Sequence, residues 1–452
     1  LKPATAQLDR ALGTWDCALL VIGNMIGTGV FLTTGNVAGA LPGGGWILLA
    51  WLAGGVFALT GALTYAEMGA LFPQAGGHYV YIRETYGRFC GFLDGWIAAV
   101  AAFPCCIAFI AMGFARYLSY FYPWCSSDNM LLQAGGFTIH GGHVPALGAV
   151  ALLTLLNSVG LRLGRDAQNL LTGLKLAALL GMTAVGLLSA GGNTSQVFHW
   201  PALPASAWTG FGTALIGVSF AYLGWDAATY VAGECRTPQR TLPRALAAGT
   251  LVVTIAYLLF NIALLRLVPV TKMPQLPNVS QEAATITFGP AGNTVLSAAI
   301  VLCILGAMNA TIICGPRVLY AMAEDAVFFR RFARVHPRFH VPSTAIVAQG
   351  IWTGLIILTG SYGSILTAAV SAMLVSSLAT AAAIFVLRAR RPDMARPYRT
   401  WGYPWVPLIF CAGTAGILLN ALRGNPTGIL WSIGLLTAGV PVYLYARHTA
   451  RS

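Results

Sequence analysis

Gly23-Asn24-Met25-Ile26-Gly27-Thr28-Gly29 interrupts the apolar run 14–39, and Phe220-Ala221-Tyr222-Leu223-Gly224-Trp225-Asp226 interrupts the run 207–234 at a similar depth. Either run can cross about 30 Å of hydrocarbon at about 1.5 Å per residue. A lone pair of glycines in such a run is explained by close helix packing. Two interruptions at matching places in two halves of a chain instead point to a binding site at the bilayer midplane. At the first, the freed N–H groups of Ile26 to Gly29 and the positive end of the following half-helix suit a carboxylate. At the second, the freed carbonyls of Phe220 to Leu223 suit an ammonium group. Together they match the two ends of an α-amino acid.

The rest of the chain reads as membrane protein. Of 452 residues, 57% are hydrophobic and 9% charged, against about 25% charged in a soluble domain. Twelve apolar segments are predicted, at 14–39, 45–72, 87–122, 144–161, 166–190, 207–234, 242–268, 290–323, 344–360, 364–387, 403–421 and 427–445. The fold class is therefore all-α, with twelve transmembrane helices. With the N-terminus inside, Arg116, Arg266, Lys272 and Arg423 are the basic residues left outside, and Lys175 lies within a segment. The remainder of the 26 Lys and Arg fall in inner loops and tails. That asymmetry predicts a multi-pass protein of the inner membrane with both termini cytoplasmic. It also accounts for the net charge of +13 without nucleic acid. Residues 1–13 read as a short polar cytoplasmic segment without a cleavable signal.

Segments one to five pair in order with six to ten, and five being odd, the second copy must be inverted. The expected units are a first repeat at 14–190, a second at 207–390, two peripheral helices within 403–445 and a cytoplasmic tail at 446–452. The nine Cys fall mostly in apolar runs and read as small membrane residues rather than disulfides. Cys125, in the outer loop after the third segment, reads as a free thiol open to outside reagents, and Cys235 as one open only from inside. His140 and His143 share an outer loop without clustered acids and read as solvated, so no metal is expected. No P-loop is present, and Ser, His and Asp do not gather at one depth. An enzyme and an ATP-driven pump are not expected, nor is any cofactor. No segment offers the continuous polar face of a channel.

These residues resemble the amino acid, polyamine and organocation superfamily, in particular bacterial relatives of the L-type and cationic amino acid transporters. The resemblance spans nearly the whole chain. Gly23 to Phe31 is similar to the first-helix signature, and Tyr65-Ala66-Glu67 with Pro73 to Tyr81 to the end of helix two and its re-entrant loop. Phe220 to Trp225 resembles the broken sixth helix, Glu234 to Arg244 the loop after it, and Gly315-Pro316-Arg317 the inner end of helix eight. The resemblance implies the leucine-transporter fold and alternating access of L-amino acids. It assigns the carboxylate to Ile26, Gly27, Thr28 and Gly29, the amino group to Phe220, Ala221 and Tyr222, and the lid over the substrate to Phe220.

Leu223 stands where a relative handling basic amino acids carries an acid, so small or medium neutral side chains are expected. A cationic amino acid or polyamine carrier of the same superfamily is the alternative. Asp226 departs from the L-type pattern and agrees with the cationic branch. It reads either as the N-cap of the inner half-helix or as a contact for a basic substrate or a proton. Glu67 reads as structural, paired with a loop arginine. A light subunit needing a partner chain is a further class, but an obligate protein partner is not expected.

Lys175 lies nine residues into its segment, about 13 Å deep. The resemblance puts it where sodium-driven relatives bind a cation between helices one and eight, near Gly27, with Thr311 as a neighbour. Its ammonium would replace that ion. Sodium-independent transport follows, by exchange or proton-linked uptake, with Lys175 holding helix one ready for substrate.

Overall fold

The computed structural model describes residues 8–134, 137–189, 192–202, 207–276, 278–360, 362–424 and 426–449. The expected N-terminal segment and C-terminal tail therefore lie partly outside the described residues. The chain is helical almost throughout. Helices α1 (Thr14–Met25), α2 (Gly29–Ala40), α3 (Gly44–Leu71), α4 (His78–Tyr86), α5 (Arg88–Ile97) and α6 (Phe103–Leu118) come first. After them run α7 (His143–Ser158), α8 (Leu161–Leu188), α9 (Ala207–Ala221), α10 (Ala227–Tyr230), α11 (Pro238–Leu267) and α12 (Val279–Phe288). The chain ends with α13 (Gly292–Glu324), α14 (Ser343–Thr359), α15 (Tyr362–Arg390), α16 (Trp405–Gly424) and α17 (Pro426–Thr449).

Among the described residues six helical spans are each long and apolar enough to cross a membrane, and the bent pair α1 and α2 makes up to seven. Shorter apolar helices lie within α7, α9, α14, α16 and α17. Every apolar segment expected from the sequence carries helix.

Small residues set the packing. A Cβ on Gly55 of α3 would lie 2.4 Å from Thr254 of α11, and one on Gly54 2.4 Å from Val218 of α9. Glycine thus lets α3 approach both helices closely. Gly76 and Gly77, at φ 121° and 57°, turn the chain from α3 into α4 through a region that other residues rarely enter. Between α5 and α6 the helix widens into one π turn, Ala98–Ala102. Pro104 follows at once and has no N–H to give Val100. Trp352 Nε1 from α14 donates to the Val100 carbonyl instead, at 2.8 Å.

Two elements carry no expectation from the sequence. Strands β1 (Met130–Ala134) and β2 (Phe137–His140) form an antiparallel hairpin in the loop before α7. Helix α12 lies in the connection before α13, capped by the Asn278 side chain on the Ser280 and Gln281 N–H groups. The segment before α1 is also fixed. Leu12 N–H donates to Glu234 O and Arg236 N–H to Leu12 O, both at 3.0 Å, which ties the start of α1 to the chain after α10.

Candidate functional site

Both interruptions are real breaks in helix, and they touch. The axes of α1 and α2 differ by 47° across residues 26–28. Gly29 lies so close to Ala221 that a Cβ there would meet the Ala221 Cα at 2.8 Å. Gly224, at φ 100°, leaves space for Asn24, whose Nδ2 would lie 2.7 Å from an added Cβ. From α11, the Tyr257 hydroxyl reaches Met25 O at 2.9 Å and Ala221 O at 3.1 Å. One hydroxyl proton is thus shared between a carbonyl from each break.

At the first break Ile26 is fully buried and its N–H still bonds Ile22 O at 3.0 Å. Among the turn and cap bonds of the described residues, the N–H groups of Gly27, Thr28 and Gly29 have no carbonyl partner. They stand at the N-terminal end of α2, where unpaired N–H groups and the helix dipole favour an anion. A Cβ on Gly27 would meet nothing within 4 Å, so there is free space beside Gly27, while Gly29 packs against α9.

At the second break Phe220 and Leu223 are exposed, at 48% and 55%. Tyr222 is buried, its hydroxyl donates to Trp51 O at 3.0 Å and its ring packs against Trp51 and Tyr257. The Phe220 carbonyl accepts from Leu223 N–H at 3.3 Å and the Ala221 carbonyl from Tyr257. Each oxygen keeps a second lone pair for an ammonium donor.

Lys175, on α8, is completely buried. Its Nζ donates to Gly23 O at 2.5 Å, Ile26 O at 2.8 Å and Cys303 O at 3.2 Å. All three ammonium protons are therefore used, and they join α1, α8 and α13. Gly306 makes the space, since a Cβ there would lie 2.6 Å from the lysine Cε. Thr311 is not a partner of the ammonium. Its hydroxyl donates to Ala307 O at 2.9 Å and reaches Asn24 Oδ1 at 3.2 Å, which fixes α13 against the first break.

The side chain of Asp226 does not cap. The residue stands at the N-cap position of α10, yet its carboxylate makes no bond to that helix. Asp226 Oδ2 instead meets His78 Nε2 at 2.9 Å. Sequence reasoning missed His78 because only the fold brings α4 beside the second break. Tyr257 and Gly306 were missed for the same reason, as neither stands out in an apolar helix.

Glu67 pairs with Arg388 at 2.7 Å and lies 3.5 Å from Arg396, so its partners come from the end of α15 as well as from the following loop. Solvent-exposure expectations are corrected at three residues, Cys125, Cys235 and His143. Cys125 and Cys235 are both buried, the second with its Sγ 3.4 Å from Cys17 Sγ, and Cys90 is an exposed thiol. His143 is buried at the start of α7, with Nδ1 accepting from His140 N–H at 3.3 Å.

Comparison with known proteins adds to this geometry. The family model for amino acid permeases matches residues 12–444. The serine/threonine exchanger SteT of Bacillus subtilis (strain 168) is 30% identical over 439 residues, covering 96% of each chain. The human b(0,+)-type amino acid transporter 1 is 27% identical, over 99% of this chain and 90% of its own. Mouse large neutral amino acids transporter small subunit 2 is 27% identical over 98% and 82%. With the match running from before α1 into α17, the chain belongs to the amino acid permease family of the amino acid, polyamine and organocation superfamily and is a multi-pass membrane protein.

Proposed function

We propose that this permease carries small or medium neutral L-amino acids of about the size of serine, threonine or leucine, by alternating access and without sodium. The observation that carries the reading is the cradle of N–H groups without a carbonyl partner at Gly27, Thr28 and Gly29, with free space beside Gly27 and in contact with the second break. The substrate carboxylate would lie on that cradle, and its ammonium on the Phe220 to Tyr222 carbonyls. Phe220, exposed at the end of α9, would fold over it as the lid. Leu223 offers the substrate side chain no charge, which agrees with the serine/threonine exchanger among the relatives. Asp226 is taken up by His78 and so is not a free counter-charge for a basic side chain.

In this reading the chain has twelve spans in the leucine-transporter fold, with inverted repeats at 14–190 and 207–390 and two peripheral helices within 403–445. Both termini face the cytoplasm, and the Lys175 ammonium takes the place of a bound sodium ion, while Thr311 fixes α13 against the first break. In the same reading the protein works as a single chain, without an obligate partner. The test is a thermal-shift screen of the purified protein with the twenty amino acids, because a ligand that binds only the folded state raises apparent stability by mass action. Shifts with serine, threonine, alanine or leucine, and none with arginine or lysine, are expected. Tighter binding of arginine or lysine would move the assignment to the cationic branch.

A further inference from the structure

Two thiols meet where the two halves of the chain join. Cys17, in the first turn of α1, has its Sγ 3.4 Å from that of Cys235, the residue that ends the 3₁₀ turn Ala232–Glu234 after α10. Both are completely buried, and they lie 218 positions apart in sequence. Among the described residues no other two cysteine sulfurs are in hydrogen-bond contact. The pair therefore joins the half-helix before the first break to the chain that follows the second.

The two sides of this contact are held very differently. Cys235 follows Glu234, whose carboxylate accepts from Arg317 of α13 at 2.9 and 3.2 Å, with both side chains buried. The start of α1 has looser polar ties. Asp16 accepts from Asn169 of α8 at 2.8 Å, with the half-exposed Arg165 guanidinium 3.9 Å away, and such exposed ion pairs contribute little. Two backbone bonds between Leu12 and the Glu234–Arg236 strand add to them. One thiol is thus mounted on α13 and the other on a half-helix whose polar ties can part.

Packed together, the pair is inert. Only a thiolate reacts, and the hydrogen bond to Cys17 together with burial pushes the Cys235 thiol well up. Movement of α1 away from the chain after α10 would break that bond and wet the sulfur. Arg236, next in sequence, and Arg10, two residues before the Leu12 that bridges to Cys235, are both exposed. Their positive charge then favours the thiolate.

We propose that Cys17 and Cys235 are a reversible disulfide site, a latch across the inner end of the permease that hydrogen peroxide closes and small thiols reopen. The proposal rests on the alternating-access reading above and adds control of it. When α1 parts from Cys235, the thiolate of Cys235 attacks one peroxide oxygen and the O–O bond breaks. The hydroxide released takes up the proton lost by the thiol and leaves as water, and Cys235 becomes a sulfenic acid. As α1 returns, the Cys17 sulfur attacks that of Cys235, the S–S bond forms and the sulfenic oxygen departs as a second water. Two thiols and one peroxide thus give one disulfide and two waters. Two molecules of a small thiol reverse the step by exchange and are themselves joined as a disulfide. A transient, redox-sensing bond of this kind suits the reducing cytoplasmic side. The bond ties α1 to a chain fixed on α13, so the inner end stays shut. Cys17 lies eight residues before Met25, about 12 Å of helix, so the cradle beyond it is left free to bind.

The experiment uses the full chain carrying Cys90→Ser, which removes the exposed thiol, in proteoliposomes loaded with serine. Brief treatment with hydrogen peroxide should remove most uptake of labelled serine, and dithiothreitol should restore it. Mass spectrometry of the unreduced protein should find the Cys17 and Cys235 peptides joined, lighter by two hydrogens than the separate pair, a readout that needs no further variant to fold. Cys17→Ala and Cys235→Ala should each keep their uptake after peroxide. The oxidised parent should keep its thermal shift with serine, because the latch shuts the exit and spares the site. Absence of the joined peptides, uptake undiminished where they have formed, serine binding lost along with uptake, or equal loss of uptake in both variants overturns the proposal and leaves the amino-acid reading intact. If the untreated parent neither binds nor moves any amino acid, that reading falls and the latch with it.

Discussion

Lys175 Nζ lies 2.5 Å from the carbonyl oxygen of Gly23, the atom that the Gly27 N–H would bond if α1 ran on as a continuous helix. The chain is extended at Ile26, at φ −77° and ψ 94°, which turns the Gly27 N–H away from Gly23 O, and the lysine takes up the oxygen that is left. What remains is a Gly27 N–H without a backbone carbonyl partner. The ammonium bonds also repay part of the cost of burying a charge, since a hydrogen bond to a charged group contributes about 1.5–3 kcal/mol.

Lys175→Ala should therefore act on substrate binding through the backbone. Without the ammonium, Gly23 O and Ile26 O are unpaired, and Gly27 N–H can close onto Gly23 O, which removes a donor from the cradle. Serine binding by thermal shift is expected to fall at least about tenfold, and transport with it. Replacing sodium with choline should leave wild-type uptake unchanged. Strict dependence on sodium, or a Lys175→Ala protein with wild-type affinity, would refute the assignment.

Gly27→Ala tests the cradle with the least change to the fold. The added methyl meets no protein atom within 4 Å, so folded stability should hold within the range of an ordinary surface substitution, about 0.5 kcal/mol. The same methyl occupies space above the N–H groups, where a carboxylate would sit. Loss of serine binding at unchanged melting temperature without ligand is the expected pair of results. Retained affinity would remove Gly27 from the site.

How far the sequence carried these arguments depends on the kind of signal. The Gly27 and Gly224 breaks were legible because glycine in an apolar run is a local mark. The helices were legible because apolar length is also local. His78, Tyr257 and Gly306 were not, since each acts on a partner more than 30 positions away and carries no mark beside its neighbours in sequence. Asp226 shows the intermediate case. An acid at that depth announced a partner, and the sequence offered the nearest one, the N–H groups of its own helix. The fold supplied an imidazole that outcompetes them. Solvent exposure at Cys125 and His143 was misread because the chain from Trp124 to Ser127 packs against Gly141 and Gly142 instead of standing in water as a polar loop would.

Phe220 should separate occlusion from affinity. Its side chain is 48% exposed and makes none of the ring contacts that hold Trp51, Tyr222 and Tyr257 together. Phe220→Ala is expected to slow serine transport several-fold more than it weakens equilibrium binding, because a lid acts on the closing step. Equal losses in both measurements would mark it as an ordinary contact.

Topology can be read with the native cysteines. Cys90 is exposed at the start of α5, the inner end if both termini are cytoplasmic as proposed, while Cys125 and Cys235 are buried. An impermeant maleimide should label the protein in inside-out vesicles, and Cys90→Ser should remove most of that label. Right-side-out vesicles should stay largely unlabelled until the protein is denatured, which would expose Cys125. Strong labelling of Cys90 from outside would reverse the orientation.

Tyr257→Phe is the sharpest test that the two breaks act as one unit. The tyrosine ring lies 5.5 Å from Trp51 and 5.0 Å from Tyr222, and a phenylalanine keeps both contacts. Only the hydroxyl is lost, and with it the bonds to Met25 O and Ala221 O. Leaving buried acceptors unpaired costs about 1–3 kcal/mol. If the hydroxyl merely supports the core, that cost appears in the melting temperature and serine affinity is unchanged. If it holds the end of α1 against the end of α9, a second effect follows. Met25 O and Ala221 O become free to take new partners, the cradle and the carbonyls facing it lose their spacing, and serine affinity falls about tenfold. The loss should also be smaller in a Lys175→Ala background than in the wild-type protein, because both residues act on the same backbone and their effects are not additive. Full additivity, or wild-type affinity in Tyr257→Phe, would mean that the breaks bind substrate independently.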